Sequence, residues 1–291
     1  MKRFLIKHFG FLYHVIRKAN QDDCWGMAGE VAFQLMFAFV QGLILVVAIL
    51  SILSGNPQVF DSIVYFLGTF LPFEIYTVIR NQIAEIAAAH TKGILTLGFI
   101  GTTWTMSAFM MTLNKSFQRA YKTEETRSFW KLRLLSFVAA ILATILIGIA
   151  LSLLLLGLQV AHFIETSIGK YVNIAVFIRY FRLPGAFVVI TFLIAFVYIA
   201  LVNVRQKVKE VLPGAFSFSI LWFFFTNLFG VYLRNFPQYN KTYGTLGAFL
   251  ILMIWMYLTS VSLLLGCELN AELHRRRVLA QKAEPVTELQ S

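Results

Sequence analysis

The feature that most constrains this chain is a run without a single charged residue, from Thr242 through Cys267, which ends directly before Glu268. A helix needs about 20 apolar residues to cross a hydrocarbon layer of about 30 Å, so this run is long enough to cross a membrane. Only 13% of the whole chain is charged, against roughly 25% in an average soluble domain. Because so little of the sequence can form a polar surface, we expect an integral membrane protein.

The expected fold is all-α: a polytopic membrane helical bundle with six transmembrane helices and amphipathic N-terminal and outer-loop helices. Backbone groups must be satisfied inside hydrocarbon, which leaves helices or closed barrels. The apolar runs are continuous rather than alternating, and this favours helices. The predicted spans are about 33–53, 94–113, 134–158, 183–202, 213–233 and 243–266.

These spans form one predicted transmembrane domain over 33–273. An amphipathic cytoplasmic segment, 1–32, precedes it; this segment lacks the apolar core and cleavage site of a signal peptide. A polar cytoplasmic tail, 274–291, follows, and the chain after Leu279 is expected to be disordered. In the loop after the first span, four isoleucines at helical spacing predict an outer helix: Ile75, Ile79, Ile83 and Ile86.

The pentapeptide LPGAF occurs twice, at Leu183–Phe187 and at Leu212–Phe216. Proline in the first turn of a helix costs no intrahelical hydrogen bond. Since the similarity does not extend beyond five residues, each copy predicts the start of a span rather than an internal duplication.

The Lys and Arg residues predict the orientation, because they concentrate in the segments before the first span, between spans two and three, between spans four and five, and after span six. Both termini are therefore expected in the cytoplasm. The net charge of +11 follows from this bias, so we expect the bilayer and anionic lipids of the cytoplasmic face as partners, and no nucleic acid. Whether the chain forms a homo-oligomer stays open.

Polar residues in or beside the spans are the candidate functional residues, because hydrocarbon penalises them. The candidate polar site on the predicted cytoplasmic side consists of Glu30, Gln34, Asn114, Arg119, Glu268 and Asn270. One hypothesis pairs Glu30 or Glu268 with Arg119 in a low-dielectric setting. The alternative is that each residue ends a helix at the lipid headgroups without a partner. We favour a semi-buried Glu268 paired with a cation, in a role that is structural or functional.

Small residues near the last span predict close helix packing. Gly244 and Ala248 form a small-xxx-small pair, and Gly247 lies beside it. The same stretch places Trp255 in mid-span, where an indole N–H requires a partner.

No catalytic, cofactor-binding or metal-binding pattern is present in the sequence. It contains no Walker loop, no GxSxG, no CxxC pair and no HExxH, and its two cysteines support no disulfide framework. We therefore expect no cofactor and no enzymatic activity.

Several segments in order resemble one family. They are AGEVAF before the first span, WTMSAFMMTLNKSFQRAYKTEETRSFWKLR, PGAFSFSILW, and YGTLG followed by WMY and GCELNAEL. Together they resemble the BrkB/YihY-like bacterial membrane proteins, formerly labelled ribonuclease BN. The resemblance implies a six-span protein of the bacterial inner (plasma) membrane. It also draws attention to Gly214, which we take as a further helix-packing residue, and to Tyr243, in addition to the polar and small residues above. The chain departs from the pattern at Gln41, often proline in the family, and at Cys267, usually alanine.

Three functions are weighed. The first is a transporter or exporter of an unidentified, lipidic or amphipathic substrate, which six spans and a one-sided polar cluster favour. The second is a non-transporting scaffold or envelope-integrity protein that contacts partners or lipids. The third, a membrane-embedded nuclease, is disfavoured because metal-binding carboxylates and histidines do not cluster in the sequence.

Overall fold

The computed structural model describes residues 2–53, 92–138, 174–235 and 239–288. Within these ranges every regular element is a helix, which confirms the predicted all-helical class. The helices are α1 (Lys2–Gln21), α2 (Cys24–Leu53), α3 (Lys92–Tyr121), α4 (described over 129–138), α5 (Ile174–Leu201), α6 (Val208–Asn235) and α7 (Tyr239–Glu288). The predicted outer-loop helix and most of the predicted third span lie outside the described residues.

The long helix α7, which contains the uncharged run, is the centre of the bundle. It packs against α1, α2, α3 and α6, while α5 packs against α6 and α3. The main core cluster lies where these helices meet and includes Phe117, Tyr198, Leu201, Leu264 and Cys267. Glu268 is the next residue after Cys267 on α7. Because α7 packs in the core, the core fixes the position of Glu268.

Three of the described helices are long and apolar enough to cross a membrane. The qualifying segments are Pro184–Leu201 in α5, Val208–Tyr232 in α6 and Phe249–Gln281 in α7. In α2 the apolar segment Cys24–Phe39 is shorter. These segments agree in position with the fourth, fifth and sixth predicted spans.

Neither LPGAF copy begins a helix, so that prediction is wrong. α5 begins at Ile174 and α6 at Val208, which places Pro184 and Pro213 inside their helices. Proline in a helix interior removes a backbone hydrogen bond. The sequence showed the cost of an interior proline but not the tertiary contacts that offset it at Pro213, described below.

The polar tail is also not disordered where the structure describes it, because α7 continues without a break to Glu288. The segment HRRRVLAQKAE after the core is rich in Arg, Leu, Ala, Gln, Lys and Glu. These are strong helix formers, so polarity alone was a poor guide to disorder here.

Two helix ends near the core carry non-glycine residues in the left-handed region. Lys122 follows α3 with φ 54°, and Asp23 joins α1 to α2 with φ 57°. The N–H of Thr123 bonds to the carbonyl of Gln118 at 3.0 Å, and the N–H of Lys122 to that of Arg119 at 3.1 Å. This is the Schellman arrangement, which satisfies the last carbonyls of a helix.

Candidate functional site

Glu268 is buried in the middle of the bundle, with only 1% of its surface exposed. Its neighbours on α7, Cys267 and Ala271, are also buried. Neither carboxylate oxygen has a hydrogen-bond partner among the residues that the structure describes. A carboxylate taken out of water without a partner is costly unless it gains a proton or a cation. The packing of the surrounding helices therefore keeps Glu268 buried in spite of this cost.

The electrostatic surroundings of Glu268 are mixed in sign. Four charged side chains act on it: Lys18, Asp22, Lys122 and Arg275. The neighbouring ammonium group of Lys122 lowers the pKa of Lys18, and partial burial and the positive charge of Arg275 lower it further. One oxygen of Asp22, Oδ2, is also buried without a partner among the described residues. Two carboxylates and three cations therefore converge where α1, α3 and α7 meet.

Asn270, two residues after Glu268 on α7, holds α6 at its interior proline. Its side-chain oxygen accepts the N–H of Gly214 at 2.7 Å, and its amide donates to the carbonyl of Val211 at 2.9 Å. These bonds flank Pro213, where the helix cannot make its full set of backbone bonds. A Cβ on Gly214 would meet the carbonyl oxygen of Gly266 at 2.1 Å, so the backbones of α6 and α7 touch at this crossing.

Asn114 and Tyr198 make similar bonds between helices. The amide of Asn114 on α3 donates to the carbonyl of Leu201, the last residue of α5, at 2.6 Å. The hydroxyl of Tyr198 on α5 donates to the carbonyl of Leu263 on α7 at 2.7 Å. Both donors are buried, and Asn114 satisfies one of the carbonyls that every helix leaves without an intrahelical partner at its end.

The end of α3 is fixed by two further bonds. Arg275 on α7 donates to the carbonyl of Ala120 at 3.0 Å, and the Tyr121 hydroxyl donates to Gln206 at 3.2 Å. Burial raises the pKa of the Tyr121 phenol well above its ordinary value, so it remains a donor at every physiological pH. The first of these bonds holds the guanidinium group of Arg275 at the end of α3.

Glu272, the next acidic residue of α7, is fully engaged. Its carboxylate lies 3.1 Å from Nη2 of Arg275, 2.8 Å from Nε of Arg276 and 3.6 Å from His14. The contrast with Glu268 is clear, since the two acids are four residues apart on one helix and only Glu272 has ion-pair partners among the described residues.

Two predictions are not what the structure shows. Glu268 is fully buried rather than semi-buried and has no cation within ion-pair distance among the described residues, and Arg119 pairs with neither Glu30 nor Glu268. Glu30 pairs with Lys115 at 3.2 Å, and Arg119 lies 3.9 Å from Asp23, both on exposed surface. Gln34 is half-buried on α2. Of the six predicted site residues, Asn114, Glu268 and Asn270 are buried in the bundle, whereas Glu30 and Arg119 lie on its surface.

Of the four predicted packing residues, the structure describes the surroundings of Gly214 and Gly247. Gly214 forms the close crossing with Gly266, and Gly247 is buried. Gly244, Ala248 and Gln41 lie outside the residues whose side chains the structure describes. The indole N–H of Trp255 finds its expected partner in Thr226, at 3.3 Å.

Tyr198, Gly266 and Asp22 were missed by sequence reasoning. Tyrosine near a span end is ordinary for the membrane interface, so nothing in the sequence distinguished the buried Tyr198. Gly266 stands directly before Cys267 and Glu268; a glycine beside a polar residue at the end of an apolar run was the available signal. Asp22 lies in a helix junction that sequence alone does not bring near α7.

Residues 15–290 match the family described as Virulence factor BrkB. The chain belongs to the BrkB family. This confirms the resemblance drawn from the sequence, and the match covers every described helix except the first part of α1.

Named relatives support the assignment to BrkB. A ribonuclease-like protein, YfkH, of Bacillus subtilis is 26% identical over 272 residues, covering 92% of this chain and 97% of the relative. A UPF0761 membrane protein of Aromatoleum aromaticum is 25% identical over 266 residues, covering 88% of this chain and 62% of the relative. A UPF0761 membrane protein of Psychromonas ingrahamii is 24% identical over 270 residues, covering 91% of this chain and 88% of the relative. No solved structure matches.

This BrkB protein is thus membrane-associated, as its apolar helices and its UPF0761 membrane-protein relatives indicate. Within the part of the chain that the structure describes, no three His, Cys, Asp or Glu residues lie close enough together to hold a metal ion. The chemistry available around Glu268 is that of buried carboxylates beside ammonium and guanidinium groups.

Proposed function

We propose that this chain is a six-span protein of the bacterial inner membrane, with both termini in the cytoplasm, that moves a lipidic or amphipathic substrate. The observation that carries the proposal is Glu268: a fully buried carboxyl group with no hydrogen-bond partner among the described residues, within electrostatic range of three cations. Ionisable groups inside a membrane bundle commonly mark a substrate or ion pathway.

The mixed charge of the site indicates what it could bind. Glu268 and Asp22 complement an ammonium group, and Lys18, Lys122 and Arg275 complement a phosphate. A phospholipid whose headgroup carries both charges is the substrate class that uses both sets.

The proposal is tested with the full chain in vesicles that contain fluorescently labelled phosphatidylethanolamine. Transfer of the label between leaflets is followed by adding a membrane-impermeant reductant that destroys fluorescence on the outer leaflet. We expect Glu268→Gln to abolish the protein-dependent transfer, and Glu30→Gln to leave it intact, because Glu30 is an exposed acid paired with Lys115. Equal transfer by wild type and Glu268→Gln at matched protein density would count against the proposal.

A non-transporting scaffold is the second candidate, because most polar bonds at the site join one helix to another. Asn114, Tyr198, Asn270 and Arg275 all bind backbone carbonyls of neighbouring helices. Purification in mild detergent distinguishes the two functions: a stoichiometric protein partner, or a stable homo-oligomer without lipid transfer, favours the scaffold.

We propose that this chain is not an enzyme. The name ribonuclease-like belongs to the Bacillus subtilis relative. For this chain the test is direct: purified protein that cleaved RNA, and lost cleavage on Glu268→Gln, would establish an activity that the proposal leaves out.

A further inference from the structure

A second feature lies away from Glu268, on the outer face of α3 and α4. The two helices enclose an open groove of about 460 Å³. Its walls are mainly apolar and aromatic, and it is lined by residues that include Ile100, Trp104, Ser107, Trp130, Arg133 and Leu134. Four of these apolar side chains are largely exposed, with Trp130 the most exposed at 79%. On a membrane protein, such a face lies against lipid.

Arg133 is the exception in this apolar groove. Its guanidinium carbon lies 4.2 Å from the centre of the Trp104 ring, and its Nη1 lies 3.0 Å from the sulfur of Met111. Its Nη2 is buried without a hydrogen-bond partner, and no carboxylate lies within 4.0 Å of Arg133, as far as the described residues reach. Stacking on Trp104 fixes the plane of the guanidinium, but the positive charge is left without an acidic partner.

We infer that this groove binds an anionic phospholipid. The acyl chains would lie along Ile100, Trp104 and Leu134. The phosphate would accept from the guanidinium group of Arg133, in exchange for the weak Met111 sulfur acceptor, because a guanidinium group suits bidentate binding of phosphate. Charge complementarity supports this occupant over a neutral lipid, since an arginine against hydrocarbon is costly without an anion. The groove is independent of Glu268, so neither proposal depends on the other.

Native mass spectrometry of the full-length, delipidated protein tests the inference. The protein is titrated with phosphatidylglycerol and with phosphatidylcholine of the same acyl chains. We expect phosphatidylglycerol to bind about tenfold more tightly, the effect of one charge-assisted contact. Arg133→Gln should abolish that preference, and Lys131→Gln, which removes an equal charge from an exposed neighbour on α4, should keep it.

Fluorescence provides a second readout that does not depend on the stability of a charge variant. Phosphatidylglycerol brominated on its acyl chains should quench the tryptophan fluorescence of the wild type more strongly than brominated phosphatidylcholine. Trp104→Phe should reduce the difference, because Trp104 lines the groove and stacks on Arg133. The double substitution Trp104→Phe with Trp130→Phe should remove it, because Trp130 also lines the groove.

Several results would overturn the inference. Arg133→Gln that keeps the preference, or Lys131→Gln that loses it equally, would show general surface attraction instead of a site. Displacement of the lipid by glycerol phosphate at equal concentration would show a phosphate site without a lipid. A change of oligomeric state in Arg133→Gln with unchanged lipid binding would show that a second copy of the chain covers the groove.

Discussion

Substituting alanine at the two glycines of the repeated LPGAF segment should give opposite results. Gly214 and Gly185 have the same neighbours in sequence and both follow a proline inside a helix. A Cβ at Gly214 would lie 2.1 Å from the carbonyl oxygen of Gly266 and 2.4 Å from the side chain of Asn270, whereas a Cβ at Gly185 would meet nothing within 4 Å. A difference between the two variants therefore reports the contact between α6 and α7 and not the local sequence.

The expected magnitudes follow from these contacts. Forcing α6 and α7 apart costs about 1–3 kcal/mol as overpacking, and displacing Asn270 weakens two buried hydrogen bonds at about 1 kcal/mol each. The higher helix propensity of alanine stabilises the folded state by about 1 kcal/mol and offsets part of this loss. Gly214→Ala should thus lower the free energy of unfolding by about 2–4 kcal/mol, and Gly185→Ala should raise it by up to about 1 kcal/mol.

Both variants and the wild type are unfolded by increasing the fraction of sodium dodecyl sulfate in mild-detergent micelles, with helix content followed by circular dichroism. The midpoint should fall for Gly214→Ala and stay level or rise for Gly185→Ala. Equal shifts of the two midpoints would refute the close crossing at Gly266.

Three further predictions use the same unfolding assay. Asn114→Ala should cost about 1–3 kcal/mol, because it leaves the buried terminal carbonyl of α5 without its partner; a loss below that of Tyr198→Phe would contradict this. Tyr198→Phe should cost only about 1 kcal/mol, because the carbonyl of Leu263 lies mid-helix and keeps its backbone bond. Lys122→Gly should raise stability by about 1 kcal/mol, since it relieves a left-handed backbone and removes a charge beside Lys18; Lys209→Gly, inside α6, should lower it.

The sequence predicted the helical class and the positions of the three apolar helices well, because an uncharged run such as Thr242–Cys267 has few alternatives in hydrocarbon. It also selected Asn114, Glu268 and Asn270, three polar residues that are now found buried. Polar residues beside apolar runs are costly, and this cost is visible without a structure.

Partners across helices could not be predicted, because they depend on the relative rotation of helices that are far apart in sequence. Arg119 faces Asp23 instead of Glu268, and Tyr198 reaches across to Leu263. The helix starts were misplaced for a related reason: Asn270, fifty-seven positions after Pro213 in the chain, supplies bonds that make an interior proline tolerable.

We propose that the carboxyl group of Glu268 serves substrate movement instead of holding the bundle together. Lipid transfer and the unfolding midpoint, measured on the same preparations of wild type and Glu268→Gln, separate these two roles. We expect Glu268→Gln, which has a neutral side chain of the same shape, to unfold at or above the wild-type midpoint and to transfer no lipid. Wild-type transfer by Glu268→Gln, or a loss of transfer matched by a large fall in stability, would contradict this proposal.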